Sequence, residues 1–148
     1  MGSEMCIRDR SYIGEASNIL LEDLEDVLSS LAAHAFCMQL RGINHFTSKG
    51  RSKSIWVGVA EEPSLFSLYS KIKNCLQINR IPRDKRQFSP HVTLARLKNV
   101  RPEDTAEFIA FNNLFKTRSF RIESFTLLES ISKKEGSIYL PLEKFRLT

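Results

Sequence analysis

The chain has 148 residues, of which 42% are hydrophobic and 26% charged, a balance typical of a folded globular domain and not of a disordered or fibrous protein. This length is sufficient for one domain with a hydrophobic core. The sequence contains no apolar run of the ~18 residues that a membrane-spanning helix needs. The three cysteines lack CxxC spacing, and their odd number argues against a disulfide framework, so we expect reduced thiols and a cytoplasmic protein.

The net charge of +5 is distributed unevenly along the chain. Residues 15–26 carry five acids, whereas residues 71–101 carry nine basic residues and one acid, Asp84. A basic stretch of this kind is often only a solvated surface, but it also suits a polyanionic partner. Charge alone leaves both interpretations open.

The first ten residues, MGSEMCIRDR, show neither helical nor strand periodicity. Back-translation of Met5–Arg10 resembles a transposase mosaic-end sequencing adapter, so we interpret residues 1–10 as an assembly scar and exclude them from fold reasoning. The alternative is a short disordered tail. We expect a single domain over residues 11–148.

The first half of the chain predicts helix, strand, strand and helix. Apolar residues from Leu20 to Leu31 recur at spacings of three and four, which predicts an amphipathic helix of ~14 residues. Residues 36–40 alternate as in a strand, residues 44–53 are polar and predict a long loop, and residues 54–59 predict a buried strand. A second helix is expected from Pro63, which suits a first helical position.

The second half predicts strand, helix and a closing hairpin. Residues 79–90 form a basic loop, and residues 91–97 read as a strand. A helix begins at Pro102, with acids in its first turn, and residues 118–130 and 137–146 make a hairpin. This order favours an α+β fold with mainly antiparallel sheet, although the chain starts on a helix as if a leading strand were missing.

The segment FSPHVTLAR, residues 88–96, is the strongest candidate for chemistry. On an ideal strand His91, Thr93 and Ala95 share one face, while Val92 and Leu94 point into the core. The imidazole can move a proton near pH 7, and the threonine hydroxyl can donate to a phosphoryl oxygen.

Arg96 could bind the same anion with its guanidinium fork. On an ideal strand, however, it lies on the face opposite His91, and it reaches the site only if the strand bends or ends there. A lone HxT pattern is more often an ordinary surface strand, so the interpretation depends on the longer motif.

The motif Pro90–Arg96 resembles the second H-h-T-h motif of the LigT-type two-histidine phosphoesterases, the RNA 2′,3′-cyclic phosphodiesterases also called 2′-5′ RNA ligases. The resemblance covers about residues 11–148. Further matching segments are Tyr12–Glu15, Gly42–Phe46, Ile55–Gly58, Leu128–Ser130, Gly136, Tyr139 and Phe145–Leu147.

This resemblance implies a bilobed fold in which two antiparallel sheets face a central cleft, with helices outside and one HxT motif on each sheet. It also implies hydrolysis of a terminal 2′,3′-cyclic phosphate, on RNA or a cyclic nucleotide, to a 2′-phosphate. His91 would be the general base, and Thr93 and Arg96 would stabilise the phosphoryl oxygens. No metal or other cofactor is expected, and we expect a monomer that contacts no membrane.

The first HxT motif of the family is expected to be missing. Counting back from Tyr12–Glu15, its histidine and threonine would fall at Ile7 and Asp9, inside the suspected scar. We therefore expect the first strand to be absent and the chain to be an impaired enzyme.

A second HxT pattern, His45-Phe46-Thr47, is followed by Ser-Lys-Gly and is predicted to lie in a loop. We expect His45 and Phe46 to bind substrate, with Phe46 stacking on a base; a catalytic role for this pattern is the alternative. A rival function is a module that binds RNA ends through the basic segments 41–53 and 79–101 without turnover.

Overall fold

A computed structural model of the protein describes Ile13 and residues 18–81, 87–133 and 136–148. The predictions made on Ile7, Asp9, most of Tyr12–Glu15 and the centre of the 79–90 loop lie outside these residues. The helices and strands are α1 Asn18–Ser29, β1 Phe36–Met38, β2 Leu40–Ser48, β3 Arg51–Val59, α2 Pro63–Ile78, β4 His91–Arg96, α3 Pro102–Asn112, β5 Phe120–Ile122, β6 Ser124–Lys133 and β7 Gly136–Arg146.

The chain forms two compact units, each assembled from separate segments. The first includes residues 38–62 and 87–120, and the second includes residues 18–37, 63–81 and 121–148. The predicted α+β class with antiparallel sheets is confirmed, as are all three predicted helices and the strand at His91. None of the helices in the described ranges has the length and apolar character to cross a membrane.

The first unit contains a three-stranded antiparallel sheet in the order β2-β3-β4. Apolar side chains alternate with polar ones along each strand and therefore lie on one face of the sheet, which is buried. Ile109 of α3 and Phe120 pack against that core face. Its buried residues are Leu40, Ile43, Ile55, Val57 and Val92.

The loop predicted over residues 44–53 is wrong, because β2 and β3 form one continuous hairpin. Lys49 and Gly50 make the turn with φ values of 50° and 72°. Positive φ at both turn residues gives a type I′-like turn, whose twist matches that of the flanking strands. The polar character of the segment comes from the exposure of Phe46–Arg51 around the turn, not from the absence of strands.

The second unit contains α1, α2 and the β6–β7 hairpin. Its core joins the leucine stripe of α1 to α2 and to the end of β7, with the rings of Phe125 and Phe145 stacked 5.0 Å apart. The buried members of this cluster are Leu24, Leu28, Leu76, Ile81 and Phe145. Strands β1 and β5 pair as a separate two-stranded sheet.

Candidate active site

The face of the β2-β3-β4 sheet that carries His91 holds the candidate site. Cross-strand partners project from the same face, so the register identifies every residue on it. We call the part of this surface that adjoins β4, which leaves out the Ser48–Arg51 pair at the hairpin end, the His91 face. Its residues are Arg41, Asn44 and Phe46 of β2, Ser54, Trp56 and Gly58 of β3, and His91, Thr93 and Arg96 of β4.

A β-bulge at Leu94 brings Arg96 onto this face. Trp56 pairs with Thr93, but the preceding Ile55 pairs with Ala95, so one residue of β4 is left over. Every residue beyond the bulge therefore changes sides, and Arg96 pairs with Ser54 on the His91 face. The bulge is thus the bend in the strand that Arg96 needs in order to reach the face of His91.

The same bulge overturns two finer predictions. Ala95 pairs with Ile55 and so lies on the core face, not beside His91. Leu94, predicted to be buried, is 50% exposed. Val92 precedes the bulge and is buried as predicted.

Three rings cluster at the centre of the His91 face. The ring centres of Phe46 and Trp56 are 5.1 Å apart, and that of His91 lies 4.9 Å from Phe46 and 5.7 Å from Trp56. The Phe46–His91 contact is edge-on, at 82°. Phe46 is 40% exposed, so part of its ring remains open to solvent or to a planar ligand.

His91 is held in one tautomer. Its Nδ1 lies 2.7 Å from the carbonyl oxygen of Ser89. A carbonyl only accepts hydrogen bonds, so Nδ1 carries the proton of the neutral ring and Nε2 keeps its lone pair. The arrangement leaves Nε2 able to take a proton from a substrate or water.

Gly58, the cross-strand partner of His91, places no side chain of its own beside the imidazole. A Cβ built there would lie 3.0 Å from the carbonyl oxygen of Arg41 and 3.5 Å from the Trp56 ring. Only glycine fits this close approach without displacing a neighbour.

His45 is not brought together with these residues. It pairs with Ile55 on the core face of the sheet, and its Nδ1 lies 2.7 Å from Ser52 Oγ. Its neighbour Phe46 faces the opposite way and joins the ring cluster, so the structure separates the two residues that the sequence grouped. The segment is a strand and not the predicted loop.

The electrostatics of the His91 face are those of an anion site. The face carries two arginines and no acid. The ion pairs found within the described ranges join Arg101 to Asp104 and Arg121 to Glu123, so Arg41 and Arg96 keep unpaired guanidinium groups. Over the same ranges, no group of three or more His, Cys, Asp or Glu residues is placed to hold a metal.

Sequence reasoning did not assign Trp56, Asn44 or Arg41 to the catalytic surface, although Arg41 begins the basic segment 41–53 of the rival function. For Trp56 a signal was available, since buried Ile55 and Val57 flank it and imply that it faces outward. Its Nε1 is buried and has no hydrogen-bond partner in the described chain. Arg41 had no such signal, because its side depends on a bulge.

A family model described as the 2'-5' RNA ligase superfamily matches residues 11–134. The chain belongs to this superfamily. The family expected from the Pro90–Arg96 motif is thereby confirmed.

Two proteins with curated names resemble the chain over most of its length. An Archaeoglobus fulgidus protein named RNA 2',3'-cyclic phosphodiesterase is 28% identical over 134 residues, covering 90% of this chain and 75% of the relative. An Aeropyrum pernix protein of the same name is 29% identical, covering 88% and 76%. These names confirm the expected hydrolase ancestry.

Two solved structures share the fold. The protein TT0787 of Thermus thermophilus aligns with a TM-score of 0.65 at 28% identity, covering 91% of this chain and 74% of that one. Escherichia coli LigT in complex with 3'-AMP aligns with a TM-score of 0.72 at 20% identity, covering 93% and 74%. The LigT-like α+β fold is thus confirmed.

Proposed function

We propose that the His91 face is part of the catalytic site of an RNA 2′,3′-cyclic phosphodiesterase. The observation that carries the proposal is that His91, Thr93 and Arg96 share one face, with His91 Nε2 left free to act as a base. The names of the curated relatives support this reaction, and a 3'-AMP complex of a protein with the same fold supports a nucleotide ligand.

The reaction needs a base and an acid on opposite sides of phosphorus. His91 Nε2 takes a proton from water, whose oxygen forms a bond to phosphorus. The bond from phosphorus to the ribose 3′-oxygen breaks, and that oxygen takes a proton from the general acid. In the family pattern this acid is the histidine of the first motif. The product is a 2′-phosphate, and no metal takes part.

Thr93 and Arg96 stabilise the charge that develops on the non-bridging oxygens. A hydroxyl donor and a guanidinium fork on the side of the base are suited to this task. Phe46 offers a partly exposed ring within 4.9 Å of His91, on which the terminal base stacks. His45 lies on the other face, so Phe46 alone carries base recognition in this proposal.

This chain turns over slowly in our proposal, because Ile7 and Asp9 stand where the family pattern places the first histidine and threonine. Loss of one partner of a general acid–base pair costs about 10²–10⁴-fold in rate. The double variant Ile7→His, Asp9→Thr restores those side chains.

The test uses an RNA oligonucleotide with a 2′,3′-cyclic phosphate end, with the product identified by phosphorus NMR. The repaired chain is expected to form a 2′-phosphate faster than the chain with Ile7 and Asp9, and His91→Ala in the repaired chain is expected to abolish the gain. His45→Ala is the matched control and should leave the rate within about twofold. If His45→Ala abolishes turnover and His91→Ala does not, the proposed site is wrong.

The rival function is an RNA-end-binding module without turnover, which the unpaired arginines of the His91 face favour. It predicts salt-sensitive RNA binding that does not distinguish a cyclic phosphate end from a free hydroxyl end. Binding of that kind, with no product from the repaired chain, would favour the module over the enzyme.

A further inference from the structure

Both arginines of the His91 face are placed there by β-bulges. Arg96 follows the bulge at Leu94. In β2, Arg41 pairs with Gly58 and Ile43 with Val57, so Gly42 is the extra residue, with a φ of 76°. Without it, Arg41 would alternate onto the core face with Ile43. Bulges are frequent next to active sites, where they re-aim a side chain.

Arg41 lies across the sheet from His91, with only Gly58 between them. Two strand spacings separate their Cα atoms, a distance on the order of 10 Å. Gly58 places no side chain between the two residues, and the Trp56 ring of the same strand lies 3.5 Å from where a Cβ of Gly58 would be. A ligand bound at His91 can therefore reach Arg41 by passing across the Trp56 ring beside Gly58.

Arg41 has no assigned role in the reaction at His91. It is exposed, and it forms no ion pair within the described ranges. The terminal phosphate is already served by Thr93 and Arg96 on β4. Since the two Cα atoms are on the order of 10 Å apart, the long arginine side chain is within reach of a phosphate next to the one at His91.

We propose that Arg41 binds a second phosphate, the one that joins the terminal nucleotide to its neighbour. The site then takes the end of an RNA chain in preference to a cyclic mononucleotide. This inference rests on the proposed function, because it assumes that the terminal phosphate sits at His91.

The test compares two ligands by isothermal titration calorimetry: adenosine 2′-phosphate, with one phosphate, and adenylyl-adenosine 2′-phosphate, with two. Arg41→Ala is expected to weaken the dinucleotide about tenfold, the worth of a charge-assisted hydrogen bond, and to leave the mononucleotide within about twofold. The slope of log K against log salt for the dinucleotide should fall by about 0.7. Arg41→Lys should recover part of the affinity.

Arg51→Ala is the matched control. Arg51 is also exposed and lies at the hairpin end of β3, seven residues or about 23 Å along the strand from Gly58. Arg51→Ala removes the same charge from the same sheet and should change the affinities of the two ligands equally.

The outcomes separate the two proposals. Equal weakening of both ligands by Arg41→Ala would overturn the inference, because Arg41 would then serve the terminal phosphate. No effect on either ligand would also overturn it while leaving the proposed function in place. Failure of the parent chain to bind either ligand, with its fold intact by circular dichroism, would overturn both.

Discussion

Two glycines, Gly42 and Gly58, fix the backbone geometry of the His91 face. Gly42 adopts φ 76°, which only glycine takes without cost, while Gly58 lies so close to Arg41 that a Cβ meets its carbonyl oxygen at 3.0 Å. The two glycines act differently: one allows a backbone conformation and the other allows a close approach.

Gly42→Ala should lower the free energy of unfolding by about 1–2 kcal/mol, because an alanine is strained at a φ of 76°. A Cβ at this position would have no clash, since the nearest atom would lie 4.0 Å away, so the loss comes from the backbone conformation. Gly42→Asn should lose less, because asparagine tolerates positive φ. Urea denaturation measures both variants. Equal losses would mean that conformation is not what glycine supplies here.

The carboxyl group of Asp104 in α3 should titrate below its ordinary range. The hydrogen bond from Arg101, at 2.6 Å, lowers the pKa of Asp104, and the charge of Arg101 acts in the same direction. A carboxyl whose pKa is lower in the folded state stabilises the fold above its unfolded pKa, and this contribution is lost as the pH falls through the folded pKa. Carbon-13 NMR titration of Asp104 should show an upward shift of its pKa in Arg101→Ala.

The β2–β3 hairpin is the element that positions most of the His91 face, since it supplies six of its residues. Its two-residue turn at Lys49 and Gly50 requires positive φ at both positions. Lysine is a poor choice for the first of these, and asparagine followed by glycine is the preferred pair.

Lys49→Asn is therefore expected to raise the free energy of unfolding by about 0.5 kcal/mol, as optimised turn residues commonly do. Gly50→Ala should lower it by about 1 kcal/mol, because φ at this position is 72°. The midpoint of urea unfolding measures both changes. A destabilised Lys49→Asn variant would show that the turn is not of the primed type.

The helices could be predicted from the sequence, whereas parts of the sheet could not. The stripe of α1 repeats at helical spacing whatever the helix packs against, so twelve residues, Asn18–Ser29, fold as expected. The face of the sheet on which Arg41 and Arg96 lie depends on one bulged residue in each strand. The position of a bulge is fixed only by the register of the paired strands. The site residue His91 was identified because its motif is local, and Arg41 was missed because its position depends on that pairing.

At the scale of the whole molecule, two of the hydrophobic clusters in the described ranges share no residue. One belongs to the first unit and centres on Val57; the other belongs to the second and centres on Leu24 and Leu76. Each of these three side chains is 1% exposed. Truncating any of them leaves a cavity in only one cluster.

Leu76→Ala is expected to cost about 2–5 kcal/mol of unfolding free energy, and Val57→Ala somewhat less, because fewer carbon atoms are removed. In the double variant the two losses should add to within about 0.5 kcal/mol, since the residues have no common neighbour in either cluster. Urea denaturation of the three variants measures this. A larger deviation would show that the two clusters are energetically coupled.

Trp56 is the only tryptophan in the chain, and its ring centre lies 5.7 Å from that of His91. The indole emission of the whole protein therefore originates from a single point on the His91 face. A charged imidazolium or a stacked nucleobase next to an indole quenches its emission. The molecule thus contains its own optical reporter, and the occupancy and protonation of this surface can be followed without any attached label.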